Sequence, residues 1–203
     1  MNLRETYNKI AAEWHKDHQG DDWWVAGTDT FISNLKPASL VLDVGCGGGT
    51  KSAYLLGKGL NVVGIDFAEN LIEIAKREAP TAEFHAMDMH DVRELPQNFD
   101  GIFAQASLLH IPKNEVLDVL RGLVERLSSG GYLYVAVKGK RADGPDEEVK
   151  QEDDYGYPYE RFFSYYSLDE LAAHFKTLGL EVVYTDVHKT GKSDWIQIIG
   201  KKY

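Results

Sequence analysis

The residues best placed to do chemistry stand first at Asp43-x-Gly45-x-Gly47-x-Gly49, inside the stretch Val41–Thr50. Val41, Leu42 and Val44 signal a short buried strand that runs into a glycine turn. Without Cβ atoms the turn bends tightly and its backbone can approach a ligand closely. A helix beginning near Thr50 would aim unpaired N–H groups at that ligand. A dinucleotide fingerprint requires G-x-G-x-x-G, but counting from Gly45 puts Thr50 where the third glycine belongs. Asp43 would repel a pyrophosphate and attract an ammonium or sulfonium. The turn therefore favours a cationic cofactor over a diphosphate. Asp66 closes a second apolar run about 20 positions past Gly45, the spacing at which an acid reaches ribose hydroxyls. A carboxylate there can accept from both the 2′ and 3′ hydroxyls, and Phe67 can cover one face of the attached base. Cys46, the single cysteine, reads as a small filler within the turn rather than a nucleophile.

The frame that must position these groups is of ordinary composition. The chain has 203 residues, enough for one domain, with 43% apolar and 27% charged residues. One cysteine excludes a disulfide framework. No apolar run reaches the ~20 residues of a membrane span, and the first residues lack the apolar core of a signal peptide, so the cytoplasm is the expected compartment. With 22 basic against 32 acidic residues and a net charge of −10, a broad non-specific grip on nucleic acid is disfavoured. No internal repeat is visible.

Periodicity predicts helices over 3–16, 22–35, 50–57, 69–78, 113–127 and 168–178, and strands over 40–44, 60–66, 82–87, 99–105, 132–137, 180–187 and 195–200. Leu3, Tyr7, Ile10, Ala11 and Trp14 share one face of the first helix; Trp24, Phe31 and Leu35 face inward from the second. Ser128–Gly131 is expected to turn the chain, and Ser167 with Glu170 forms a capping box. Between Gly139 and Ser167 no period appears. Its acids (Asp143 to Asp154) predict a solvated, mobile loop. The seven aromatics within 155–166 are too dense for a plain linker, and predict either packing onto the sheet edge or a pocket wall.

The stretch "VLDVGCGGGT" resembles the signature loop of class I S-adenosylmethionine-dependent methyltransferases, and "FDGIFAQASLLHIP" resembles that family's fourth-strand block. The helix–"SSGG"–strand succession is similar too, with Ser129 where the family usually has proline. The resemblance spans roughly 7–200. It implies a doubly wound, Rossmann-like α/β fold: a seven-stranded, mostly parallel sheet with an antiparallel last strand and helices on both faces. It further implies that Asp43, Gly45, Cys46, Gly47 and Gly49 carry S-adenosyl-L-methionine, with Asp66 and Phe67 at the adenosine. Asp88 would accept from the adenine amino group, the Met89 N–H would meet a ring nitrogen, and Gln105 would sit beside the sulfonium. "TYNKIAAEW" is similar to the N-terminal helix that lies over the cofactor in many small members, which would bring Tyr7 to its methionine end. His110 is then either a proton acceptor or, as favoured, a loop-orienting hydrogen-bond partner. Arg161 either binds a substrate anion or pairs with a nearby acid.

The expected whole is a single domain, 1–203, with capping helices in 1–37 and a lid or substrate insertion over 140–166. It would transfer a methyl group from S-adenosyl-L-methionine to a small molecule, leaving S-adenosyl-L-homocysteine, with no metal. A monomer or homodimer is expected. The alternatives are a tRNA-modifying methyltransferase, which "RFFSYYSLDEL" resembles and the acidic charge opposes, and a non-catalytic cofactor-binding module.

Overall fold

The computed structural model describes residues 2–191 and 193–203. The first three strands are β1 (Leu40–Val44), β2 (Asn61–Asp66) and β3 (Glu83–Ala86); β4 (Phe99–Gln105) and β5 (Leu127–Lys138) follow. The helices between them are α3 (Thr50–Gly57), α4 (Glu69–Glu78) and α5 (Lys113–Arg126), preceded by α1 (Leu3–His18) and α2 (Val25–Ser33). A hairpin of β6 (Glu147–Glu152) and β7 (Tyr159–Ser164) leads to α6 (Leu168–Thr177), β8 (Glu181–Lys189) and β9 (Asp194–Lys201).

Seven strands form one sheet in the order β3-β2-β1-β4-β5-β9-β8. The pairings from β3 to β5 are parallel; β9 runs antiparallel to both neighbours, β5 and β8. The expected doubly wound sheet with an antiparallel last strand is the one observed. Period-two alternation splits its two faces. Leu42, Val63, Ile102, Leu133 and Ile198 pack under α5 and α6, while Val41, Val62, Phe103, Tyr134 and Ile199 pack with Phe31 of α2 and Leu55 of α3. Ser167 caps α6 by accepting from the Glu170 N–H at 3.1 Å.

Three expectations need correction. Ser128–Gly131 does not stand apart as a turn; it lies within β5, where the register to β4 shifts between Phe99 and Gly101 and Gly130 takes a φ of 79°. The acidic stretch is not a loop throughout, because Glu147–Glu152 pairs antiparallel with Tyr159–Ser164. Its acids are matched across the hairpin: Glu148 accepts from the Tyr165 hydroxyl at 2.6 Å and Glu152 binds the Arg161 guanidinium at 2.5 and 2.7 Å. Finally, only α1 of the two N-terminal helices lies over the carboxyl ends of the strands, against α4 and β7; α2 packs beneath the sheet.

Candidate active site

Strand order reverses between β1 and β4, so the loops leaving these two strands diverge to opposite faces and open a crevice. The cleft sits there. One lobe is lined by Gly45, Gly47, Asp66, Phe67, Met87 and Met89. The other is lined by Asp43, Cys46, Lys51, Gln105, Lys138 and Arg161. Tyr7, Trp14, Gly45, Ala106 and His110 line both, joining them into one channel roofed by α1.

The floor is held by the two carboxylates at the strand tips. Asp66 accepts from the Gly47 N–H at 3.0 Å and the Ala68 N–H at 2.9 Å, tying the glycine turn to the end of β2. Asp43 accepts from the Ser52 hydroxyl at 2.6 Å. Burial outweighs these bonds, and both acids are pushed up from 3.8 to about 6. Gly45 (φ 70°) abuts Ser107, which follows Ala106, itself held at φ 55° beyond the tip of β4. Such a φ is strained for alanine and concentrates at functional sites.

The roof carries the tyrosine and histidine. The His110 Nδ1 lies 2.7 Å from the Phe162 carbonyl, which can only accept, so Nδ1 carries the proton and Nε2 is the acceptor. The Tyr7 hydroxyl therefore donates to Nε2, at 2.7 Å. Burial pushes His110 down to about 3, so the ring is a neutral orienting partner at neutral pH and does not store a proton. Arg161 Nη1 donates to the Tyr7 oxygen at 3.5 Å while its other nitrogens hold Glu152.

Among the described residues, five buried side-chain polar atoms have no hydrogen-bond partner, and three of them belong to cleft-lining residues: Trp14 Nε1, Gln105 Oε1 and Ser107 Oγ. Buried polar atoms are rarely left unmatched, so this concentration marks a place for a polar ligand. No cluster of His, Cys, Asp or Glu able to hold a metal occurs among them.

Tyr7, Asp43, Gly45, Cys46, Gly47, Asp66, Phe67, Met89, Gln105, His110 and Arg161 are all brought to the cleft. Two expected residues are not. Gly49 faces α4, where a Cβ would come within 2.8 Å of the Ala75 Cα, so its missing side chain serves helix packing rather than a ligand. Asp88 stands outside the cleft, beside Phe67 and Met87, and accepts from the His90 N–H at 3.0 Å at the start of a 3₁₀ turn. The Cys46 thiol is buried against α4 and β3 and pushed well up by burial, as befits a filler. Sequence reasoning missed His15, whose ring fills the space a Gly48 Cβ would take, and also Lys51, Lys138 and the stacked pair Trp23–Trp195 (centroids 4.0 Å apart). Lys51 directly follows the glycine turn as the second residue of α3 and could have been read from that position; the others arrive from distant elements.

A glycine-turned cleft at the switch point of a 3-2-1-4-5 sheet closed by an antiparallel strand defines the class I methyltransferase fold. Residues 41–131 match the family described as the methyltransferase domain. It is similar to phosphoethanolamine N-methyltransferase 1 of Arabidopsis thaliana, 28% identical over 182 residues, or 86% of this chain and 35% of that one. It is also similar to the ubiquinone biosynthesis O-methyltransferase of Coxiella burnetii, 30% identical over 131 residues, or 56% of this chain and 55% of that one. The chain thus spans about a third to a half of the length of these curated relatives. Among solved structures it is similar to the Burkholderia thailandensis 1,6-didemethyltoxoflavin-N1-methyltransferase with bound S-adenosylhomocysteine. The TM-score is 0.77 at 18% identity, over 98% of this chain and 87% of that one. The magnesium protoporphyrin IX methyltransferase of Synechocystis PCC 6803 gives 0.76 at 16% identity, over 99% and 98%. Among the described residues no helix is long and apolar enough to cross a membrane.

Proposed function

We propose that the chain is an S-adenosyl-L-methionine-dependent methyltransferase of a small molecule, acting in the cytoplasm as a monomer or homodimer. The observation that carries this reading is the set of unmatched polar atoms on Trp14, Gln105 and Ser107 beside two ionisable carboxylates in one cleft. These residues fit the cofactor's parts. Asp66 would take the ribose hydroxyls, with Phe67, Met87 and Met89 around the base and Asp88 at its rim. Asp43 and the Gln105 carbonyl oxygen would accept from the ammonium of the amino-acid end, and Lys51, whose field reaches Asp43, would meet its carboxylate. The cofactor supplies an activated methyl group on a cationic sulfur.

The chain's own contribution is alignment and exclusion of water. Tyr7, held by His110, and Arg161, held by Glu152, wall the space above Gln105. With its proton directed at His110, the Tyr7 oxygen keeps lone pairs to orient an acceptor's O–H or N–H. A His110 pushed down to about 3 is a poor proton acceptor, so the reading takes acceptors that are deprotonated or intrinsically nucleophilic. Calorimetry with S-adenosylmethionine and with NAD tests the cofactor; tighter binding of NAD would overturn the proposal. Transfer of labelled methyl groups to a metabolite pool but not to bulk tRNA is expected.

A pH dependence follows. Affinity for the cation requires ionised Asp43, so it should fall by up to about tenfold between pH 7 and pH 5, as protonation sets in near 6. Folding of the ligand-free chain runs the other way. A carboxyl raised from 3.8 to about 6 favours the folded state below 3.8, and that contribution is lost as pH rises through 6, up to about 3 kcal/mol for each of Asp43 and Asp66. Asp43→Asn should reduce the pH slope of affinity and remove about half of the stability slope, the rest staying with Asp66, by calorimetry and by chemical denaturation across pH 4–7; a pH-independent affinity in the wild-type chain would show that Asp43 does not face the cation.

A further inference from the structure

Lys138 ends β5, two residues past Ala136, the cross-strand partner of Gln105 at the tip of β4, and its side chain lines the cleft. It is a half-buried cation, a setting that favours an acid as partner. Yet among the described residues its ammonium makes no ion pair and no hydrogen bond; it lies 4.0 Å over the Phe163 ring. The neighbouring acids are already engaged. Glu152 grips Arg161 in two hydrogen bonds, and Glu148 accepts from Tyr165 and pairs with Lys150 at 3.4 Å. The acids of the cleft itself, Asp21 and Asp43, exert their field on Lys51. The cleft's charge is therefore matched at its Lys51 end and unmatched, positive, at its Lys138 end. Burial and the nearby Arg161 and Lys150 charges push Lys138 down to about 8, the direction expected of a cation still short of a counter-charge.

The surroundings describe the rest of the ligand. Lys138 is paired across the sheet with Trp195, which stacks on Trp23 at 4.0 Å and 15°. Phe163, Trp195 and Trp23 all line the lobe with Lys138. A flat apolar wall beside one unmatched cation suits a planar body bearing a negative group.

We propose that Lys138 is the specificity-determining residue for the methyl acceptor, and that the acceptor is a small molecule carrying an anionic group, carboxylate or phosphate, on a flat apolar body. This rests on the methyltransferase reading above. The anion meets the Lys138 ammonium while the body lies along Trp195 beside its stacked partner Trp23, which holds the nucleophilic atom toward Gln105.

The test is calorimetry on the full chain saturated with S-adenosylhomocysteine, against 4-hydroxybenzoate, phenyl phosphate, 4-hydroxybenzamide and tyramine. The anions should bind at least about tenfold more tightly than the amide or the amine, as a charge-assisted hydrogen bond requires. The first two probes separate carboxylate from phosphate. Lys138→Met should abolish that preference while leaving S-adenosylhomocysteine affinity within about twofold, and Lys138→Arg should restore it. Equal binding of acid and amide, binding of no anion, or a preference that survives Lys138→Met each overturns the proposal. Failure of S-adenosylhomocysteine itself to bind the wild-type chain would instead overturn the reading beneath it.

Discussion

Replacing Asp66 with alanine is expected to weaken S-adenosylmethionine binding by about 1–3 kcal/mol, roughly 5- to 150-fold, through lost charge-assisted hydrogen bonds. The carboxylate has two tasks, which separates this site from an ordinary surface acid. It would accept the ribose hydroxyls, and it holds the Gly47 N–H at 3.0 Å, so the alanine variant loses the ligand contact and loosens the turn beneath the cofactor. Stability should change less than affinity. The two backbone bonds are lost, but a buried acid pushed up to about 6, and therefore costly to ionise, is removed with them. Asp66→Asn is the sharper comparison. Its amide nitrogen would face one of two N–H donors, so it should lose nearly as much affinity as alanine despite its similar shape. Calorimetric titration of both variants, alongside denaturant melts, separates the effects; unchanged affinity in Asp66→Ala would place the ribose elsewhere.

Gly45→Ala is expected to destabilise the folded chain by about 2–4 kcal/mol, from a left-handed backbone cost and from overpacking. Gly45 has a φ of 70°, and an ideal Cβ on it would lie 2.4 Å from the Ser107 Cβ and 3.6 Å from the Ser107 Cα. Neither of those atoms is the end of a flexible side chain, so relief requires movement of the loop after β4. That loop contributes Ala106 and Ser107 to the cleft, and cofactor binding should fail together with stability. Gly59→Ala provides the reference. It has a φ of 83° but nothing within 4 Å of the added carbon, so it should show the backbone cost alone, about 1–2 kcal/mol. Urea melts of the two variants give the steric part by difference, and Ser107→Gly in the Gly45→Ala background should recover some of it. Equal losses at the two glycines would mean that the β4 loop yields freely.

The sequence by itself determined the strands and helices and the polar floor of the cleft, while the doubly wound order of the strands was implied by the family resemblance. Strands such as Phe99–Gln105 and helices such as Lys113–Arg126 are written in local periodicity, because period 2 and period 3.6 arise from the geometry of neighbouring residues. Asp43, Gly45, Gly47 and Asp66 were legible from the sequence as well: each sits within three residues of a strand end, and the strand end is where an open parallel sheet offers its ligand site. Tertiary structure alone decided what closes over that floor. The hairpin Glu147–Ser164 looked like an acidic loop because Glu152 finds its counter-charge on Arg161 only when two strands pair antiparallel. It also decided that Gly49 answers to Ala75, that His15 covers Gly48, and that Asp88 turns aside to cap His90. Lys138 and Trp195 meet because β9 inserts between β5 and β8, a matter of strand order. A side chain's neighbours along the chain are given by backbone geometry, but its neighbours across the cleft depend on how separate elements pack to bury their apolar faces.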